Sequence, residues 1–553
     1  MGLPFLLCAG IAMAQWTSNP LENNSIASKP GEQALPKSVV NPVDGSVYIC
    51  WFTTETGVYN VRLQRFDRDG NPLWADNGIL VSSEPQDTWI TDYDMAIDPM
   101  GYALITFMDL RTGETNPVAY RISPEGEHMW GATGIQLANN SNFDPSPKVC
   151  ATTGGNAVFA WQSSPSGPSE VRLQKISPTG AKLWGDDGII LSQSGVSFAS
   201  PWLFPAEGDH VFLAWHKETG PFWAPNRGLY VQKLNVDGTF MWPADVEVFA
   251  PVPSGPVYYL ETCRDHEGGI IFTWYRNDAG LHFHSYVQRM SAGGQITMSP
   301  GGTLVSVTSS RNHFYPCPAY LSQSQEIVIF FSEQDLDQNQ RGFWVQKMDL
   351  NGNRLWNDEG KELIPLGSGD YGLFTADGFG DRAICVYQAD ESGGTSSKMQ
   401  AVMLDANGDY VWNSHFVDLS TVQSEKLHNV LTDYAWGQWI AVWEDRRTDM
   451  GDIYAQNIQP DGTLGVVTTA IPSTAPTDDF GFYPNPFTDW LGIQGNFESV
   501  NLKIYDSKGN LVINTQCDPG QQGVNAASLP AGLYLSTIIT DSGMIISEKV
   551  VKQ

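Results

Sequence analysis

Cationic side chains are scarce in this chain: 31 Lys and Arg stand against 61 Asp and Glu, a formal charge of −30 over 553 residues. A surface of that sign repels phosphate backbones and anionic lipid headgroups, so nucleic acid is excluded as a partner. Long apolar runs are missing as well. Beyond the first 14 residues no stretch approaches the roughly 20 apolar residues that a membrane helix needs, so no transmembrane segment is expected. Cysteine is sparse, at seven, and shows neither a Cys-x-x-Cys pair nor a metal-ligand spacing. Cys50, Cys150, Cys263, Cys317 and Cys385 therefore read as small buried hydrophobes, and neither a metal nor a cofactor is expected.

What the chain has in quantity is glycine (54), proline (34) and aromatic residues (12%), the mixture of a turn-rich all-β protein. Its first residues, "MGLPFLLCAGIAMAQW", hold a short apolar run ending in Ala12-Met13-Ala14. That pattern predicts a signal peptide over residues 1–14, cut between Ala14 and Gln15, although no Lys or Arg precedes the run.

The body of the chain repeats. Gly70, Gly126, Gly180, Gly238, Gly294, Gly352, Gly408 and Gly462 follow one another at intervals of 54 to 58 residues. Four residues after them come Trp74, Trp130, Trp184, Trp242, Met298, Trp356, Trp412 and Val466. A second series, short β-branched and aromatic runs such as "VYICWF" and "AVFAWQ", carries Trp51, Phe107, Trp161, Trp215, Trp274, Phe331, Tyr387 and Trp443. Those runs read as buried strands. A third, "VRLQKI" or "YVQKLN", alternates apolar and polar residues as a strand with one wet face does.

Each unit thus offers four strands: a ("KVCAT"), b ("AVFAW"), c ("VRLQKI") and d ("AKLWG"), with Gly-containing hairpin turns between c and d. Antiparallel units of four strands, recurring eight times without helices, predict an eight-bladed β-propeller. The last unit decays after its third strand, while Trp16 stands 35 residues before Trp51, close to the spacing of the other units. An N-terminal strand around Trp16 is therefore expected to complete the eighth blade. The propeller is assigned to residues 15–468 and a Pro, Ser and Thr-rich linker to 469–479.

The remaining segment, 480–553, carries "FYPNPF" (482–487), "KIYDSKGNL" (503–511), "LPAGLYL" (529–535) and the ending "KVVKQ". In order and spacing these resemble the type A C-terminal sorting domain of the type IX secretion system of Bacteroidetes-type bacteria. The resemblance implies a small Ig-like β-sandwich that engages the type IX machinery, and a protein that is secreted or held on the outer cell surface. The Gly-to-Trp spacing also resembles the tryptophan-docking repeat of eight-bladed quinoprotein dehydrogenases. It lacks their Ala-x-Asp start and vicinal cysteines, so it argues for architecture rather than cofactor.

Several motifs have a structural reading that outweighs a chemical one. Acidic turns such as "DRDGN" and "DLNGN" lack the further spaced ligands of a calcium loop. The Asp and Arg of "MDLRTGE" and "EDRRTDMGD" suit loop-fixing ion pairs. His282 and His284, with His313, have no established third contact to a metal. No convergent acid–base pair or nucleophile is visible.

Variation between units concentrates in the b–c and d–a connections, which share one face of a propeller, and binding sites favour variable loops on a fixed scaffold. The candidate ligand-binding residues on that rim are Trp89, Phe222, Trp223, Phe283 and Tyr315. The expected function is non-catalytic binding of a glycan or a protein by a secreted monomer. The alternatives are a secreted propeller enzyme, either a polysaccharide hydrolase or a quinoprotein-like oxidoreductase, and a structural surface-layer protein.

Overall fold

The computed structural model describes residues 15–86, 93–221, 224–253, 260–277, 282–390, 396–466, 481–494, 500–506, 511–518, 523–540 and 545–553. The expected signal segment 1–14 and the linker 469–479 lie outside the described residues. The chain forms two compact units that part between residues 467 and 468.

The first unit contains eight four-stranded antiparallel sheets. In seven of them the strands follow one another along the chain in the order a, b, c, d. The third sheet is typical: Lys148–Ala151, Ala157–Ser163, Glu170–Ile176 and Ile189–Leu191. Neighbouring sheets pack in succession, and the first strand of the first sheet (Gln33–Val40) meets three strands of the eighth (Lys426–Leu431, Trp439–Asp445 and Asp452–Ile458). The result is a closed, propeller-like ring.

Buried strand-b side chains make the core. Trp51, Phe107, Trp161, Trp215, Trp274, Phe331, Tyr387 and Trp443 are each exposed by 1% or less. Such rings bring large apolar area out of water, about 1.5–3 kcal/mol for each full burial. Burial carries a cost at four of the indoles: the N–H groups of Trp51, Trp161, Trp215 and Trp274 find no hydrogen-bond partner among the described residues. Trp443 escapes it by donating to Asp445 Oδ2 at 2.9 Å.

The closing strand comes from the N-terminus. Asn24–Ala27 pairs antiparallel with Asp452–Ile458, in the register Asn24 to Ala455 and Ser25 to Tyr454. It begins eight residues beyond Trp16, and a similar lag, of about five residues, corrects the expectation for the other units. The tryptophan that follows each turn glycine does not lie on strand d. A single bridge, such as Phe66 with Pro72 or Ile176 with Lys182, continues the c–d hairpin. The chain then bends past the tryptophan, and the fourth strand starts only afterwards, at Ile79 in the first sheet and Ile189 in the third.

This bend lets each indole reach the turn glycine of the next sheet. Trp74 lies against Gly126, Trp130 against Gly180, Trp184 against Gly238, Trp242 against Gly294, Trp356 against Gly408 and Trp412 against Gly462. Trp16 completes the circuit on Gly70, where a Cβ would sit 2.6 Å from both the indole and the Trp16 nitrogen. The glycines have φ between +77° and +91°, which also disfavours a side chain.

Five of the docked indoles donate their N–H to the carbonyl two residues before the glycine. Trp16 bonds Arg68 at 3.0 Å, Trp74 Pro124 at 3.1 Å, Trp130 Pro178 at 3.1 Å, Trp184 Val236 at 3.1 Å and Trp412 Pro460 at 3.0 Å. Where Met298 replaces tryptophan against Gly352, the preceding Thr297 takes over the bond, its Oγ1 donating to Leu350 O at 2.6 Å.

The second unit packs a three-stranded sheet and a four-stranded sheet around Phe482, Phe487, Leu491, Leu502, Ile504 and Ile538. This is the two-layer arrangement of a small sandwich.

Gly70→Ala and Gly57→Ala separate docking from backbone cost. Both positions have φ near +90°, but nothing lies within 4 Å of a Cβ on Gly57. Urea denaturation is expected to show a loss of about 1 kcal/mol for Gly57→Ala and about 2–4 kcal/mol for Gly70→Ala, where overpacking against Trp16 adds. Equal losses would show that Trp16 does not clamp the ring.

Candidate functional site

Of the five rim residues expected from the sequence, Trp89, Phe222 and Trp223 lie outside the described residues. Phe283 opens the third strand of the fifth sheet (Phe283–Met290), and Tyr315 lies in the first strand of the sixth (Arg311–Leu321). Tyr275 and Phe314 connect them. Ring centroids are 6.1 Å apart for Tyr275 and Phe283, 4.7 Å for Phe283 and Phe314, and 5.5 Å for Tyr275 and Tyr315. Burial and the neighbouring Tyr315 push the Tyr275 hydroxyl up to about 12. Phe314 is buried, whereas Tyr315 is 38% exposed.

Tyr315 also has a left-handed backbone, φ +54°, at a register shift between Phe314 and Cys317. The same device recurs in the first strands of other sheets: Leu35, Ser200, Leu373 and His428 have φ of +47° to +52°, each within a bulge. A bulge turns one side chain out of the alternating pattern and sharpens the local twist. No glycine occupies the left-handed position itself, but proline directly follows Leu35, Ser200 and Tyr315, a mark that the alternating strand pattern does not interpret.

Below the rim, first strands and a–b turns of the first and the fourth to eighth sheets enclose a cavity of about 1080 Å³ in the ring's central channel. Its wall brings together groups that the loop comparison passes over: Arg264, His266, Tyr320, Asp377, Asp433 and Tyr434. Asp377 is held rigidly. Its Oδ2 accepts from the Tyr434 backbone N–H at 2.9 Å and from the Trp439 indole at 2.8 Å, and its Oδ1 accepts from Gly378 N–H at 2.8 Å. Burial, reinforced by the charge of Asp433, nevertheless raises its pKa.

Asp433 faces the channel and is solvent-accessible, yet surrounding protein removes enough water to raise its pKa too, with His266 opposing the shift. Arg264 donates to Pro205 O, but its Nε is buried without a partner, and burial lowers its pKa. An aromatic group adjoins the acids: Phe379 and Tyr434 centroids are 4.1 Å apart, and Tyr434 and Trp439 are 4.8 Å apart.

One sequence signal could have found this site. Ten residues before the strand-b aromatic stand the charged Arg264, Asp377 and Asp433, where the other units have Asn41, Ile97, Ala151, Pro205 and Leu321, none of them charged.

The remaining polar motifs are structural. Asp67 Oδ1 accepts from the backbone of Asp69 and Asn71, and Asp349 Oδ1 from that of Asn351 and Asn353, fixing the turns. Arg111 clamps Asp109, and Arg447 donates to Asp445 at 2.6 Å. His313 is buried 3.3 Å from Glu333, with its ring 6.2 Å from His284. Among the described residues no group of three or more His, Cys, Asp or Glu is placed to hold a metal, and Cys50, Cys150, Cys263, Cys317, Cys385 and Cys517 are free thiols.

In the second unit the motif found near residue 485 meets the C-terminal ending. Asn485 Nδ2 donates to Lys549 O at 2.8 Å, Val551 N–H to Asn485 Oδ1 at 3.0 Å, and Phe487 N–H to Val551 O at 2.8 Å. The Lys552 ammonium donates to Thr488 O, and Tyr534 donates to Pro530 O at 2.7 Å. Residues 481–553 match the family described as secretion system C-terminal sorting domain. The module is a type IX secretion sorting domain.

A protein with this sorting domain is a type IX cargo, taken to the cell surface or released. No helix among the described residues is long and apolar enough to cross a membrane. No curated protein matches the chain. Among solved structures, a protein of unknown function from Dyadobacter fermentans is similar at 12% identity and TM-score 0.34, covering 59% of this chain and 96% of its own. The polysaccharide lyase Uly1 is similar at 10% and 0.37, covering 70% and 92%. An endo-arabinase from Bacteroides thetaiotaomicron is similar at 12% and 0.28, covering 58% and 94%.

Two expectations follow. Removing residues 549–553 deletes the half of the terminal strand Ile545–Lys552 that Asn485 and Phe487 hold, so the truncated cargo should stay inside the cell, as read by fractionation and immunoblot of cells and medium. Asp433 has the second. A carboxyl whose pKa is raised on folding favours the native state when protonated and loses that contribution as pH rises from the ordinary 3.8 through the folded value. Asp433→Asn should therefore raise the melting temperature at pH 7 relative to wild type, with the gain vanishing near pH 3. A lower melting temperature at pH 7 would mean that the carboxylate is stabilised by a partner.

Proposed function

We propose that the propeller-like unit of this type IX cargo is a non-catalytic, monomeric binding module. It takes a glycan or a protein ligand on the face formed by the b–c and d–a connections. The observation that carries this reading is the aromatic run from Phe283 through Tyr275 and Phe314 to Tyr315, which spans two adjacent sheets and ends in an open ring. Aromatic faces with polar tips suit both saccharide stacking and protein contacts. Phe314 and Phe283 support the patch, and Tyr315 presents it. The bulge at Tyr315 supports this division of labour, because it turns that residue out of the strand's alternation.

A second reading, a secreted polysaccharide hydrolase, draws support from Asp377 and Asp433, two carboxyls of raised pKa on one cavity wall. Against it, the backbone and indole donors on both oxygens of Asp377 fix that carboxylate as a structural acceptor.

A glycan array and a reducing-sugar assay on the exported protein decide between the two. Tyr315→Ala should reduce retained binding at least tenfold while shifting the melting temperature by no more than a few degrees. Release of reducing ends from any polysaccharide would sink the non-catalytic reading, and unchanged binding would remove Tyr315 from the site.

A further inference from the structure

The channel cavity has its own chemistry, separate from the rim. At about 1080 Å³ it stands at the upper end of the roughly 300–1,000 Å³ typical of small-molecule sites, large enough for several linked rings. It is eccentric, with no residue of the second or third sheet on its wall. The first strands of those sheets, Asp94–Ile97 and Lys148–Ala151, take no part in the lining. Lys37 and Arg264 offset Glu261, Asp377 and Asp433 on that lining, so the wall is close to neutral. Such a wall favours neither a polyanion nor a polycation, and the charge of −30 opposes polyanions further.

Two features point to hydroxyl groups on the ligand. Asp433 accepts no hydrogen bond from the described residues, whereas its neighbour Asp377 is saturated by protein donors. An acceptor left open beside a closed one is available to donors from outside. The Phe379–Tyr434 pair lies next to it and gives an apolar face of about one ring's width.

We propose that this cavity is a second binding site, holding the end of a neutral oligosaccharide, with Asp433 accepting its hydroxyls and Phe379 and Tyr434 stacking on a sugar ring. The proposal rests on the glycan branch of the function above but places the sugar at a different position. Failure of one is therefore distinguishable from failure of the other.

The test uses the full exported chain and neutral tetrasaccharides from β-glucan, xylan, mannan and arabinan, with polygalacturonate fragments and an oligolysine as charged controls, followed by calorimetry. At least one neutral tetrasaccharide should bind, and Asp433→Asn, close in shape to the native side chain, should weaken it at least tenfold. Tyr434→Ala should weaken it comparably, and Tyr315→Ala should change it less than twofold. The inference is overturned if no neutral tetrasaccharide binds, if a charged control binds more tightly than all of them, or if binding survives in Asp433→Asn. Loss confined to Tyr315→Ala also overturns it, while leaving the rim reading in place.

Discussion

Everything in the first unit depends on one contact, the edge of an indole seated on a turn glycine of the neighbouring sheet. A sheet of four strands cannot bury both faces alone, and successive sheets must be held at a fixed angle for their aromatic strands to interleave. The docked indole sets that angle with two components. Shape is supplied by a glycine that admits the ring, and direction by a hydrogen bond from the indole N–H to a backbone carbonyl. The fifth sheet shows that the components are separable, because Met298 fills the shape while Thr297 makes the bond.

This contact was also the most legible part of the fold. A glycine and a tryptophan at constant separation, spaced by 54 to 58 residues, gave the repeat and its strand content. It was less informative about where strand d begins. A Leu-Trp pair after a hairpin turn looks like a strand, and only the bend that carries Trp74 or Trp184 to the next sheet separates it from the fourth strand. The bulges at Leu35, Ser200 and Tyr315 are marked in sequence only by a following proline, and those at Leu373 and His428 lack even that. Their left-handed residues are ordinary side chains, held there by tertiary packing rather than by local preference.

The channel chemistry was hidden for a different reason. Arg264, Asp377 and Asp433 belong to three separate repeats, each at or near the end of a first strand, where polar turn residues are unremarkable. A ring collects one residue from each repeat into one place, so its central site is dispersed along the chain by construction. The sorting domain is the opposite case: its motifs at 483–487 and 549–552 are local in sequence and recognisable there. Their union through Asn485 explains why both ends of the module are needed for one surface.

The strand Asn24–Ala27 joins residues more than 400 positions apart, pairing Asn24 with Ala455. Seven sheets can form from neighbouring segments as the chain is made, but the eighth waits for both ends. Loop closure over such a length costs little more than over half of it, since the penalty grows only with the logarithm of length. The clasp is thus thermodynamically inexpensive and kinetically late. The N-terminal strand thus completes the eighth sheet, while the strand that follows it, Gln33–Val40, packs that sheet against the first, so one short stretch of chain both finishes the last sheet and begins the first.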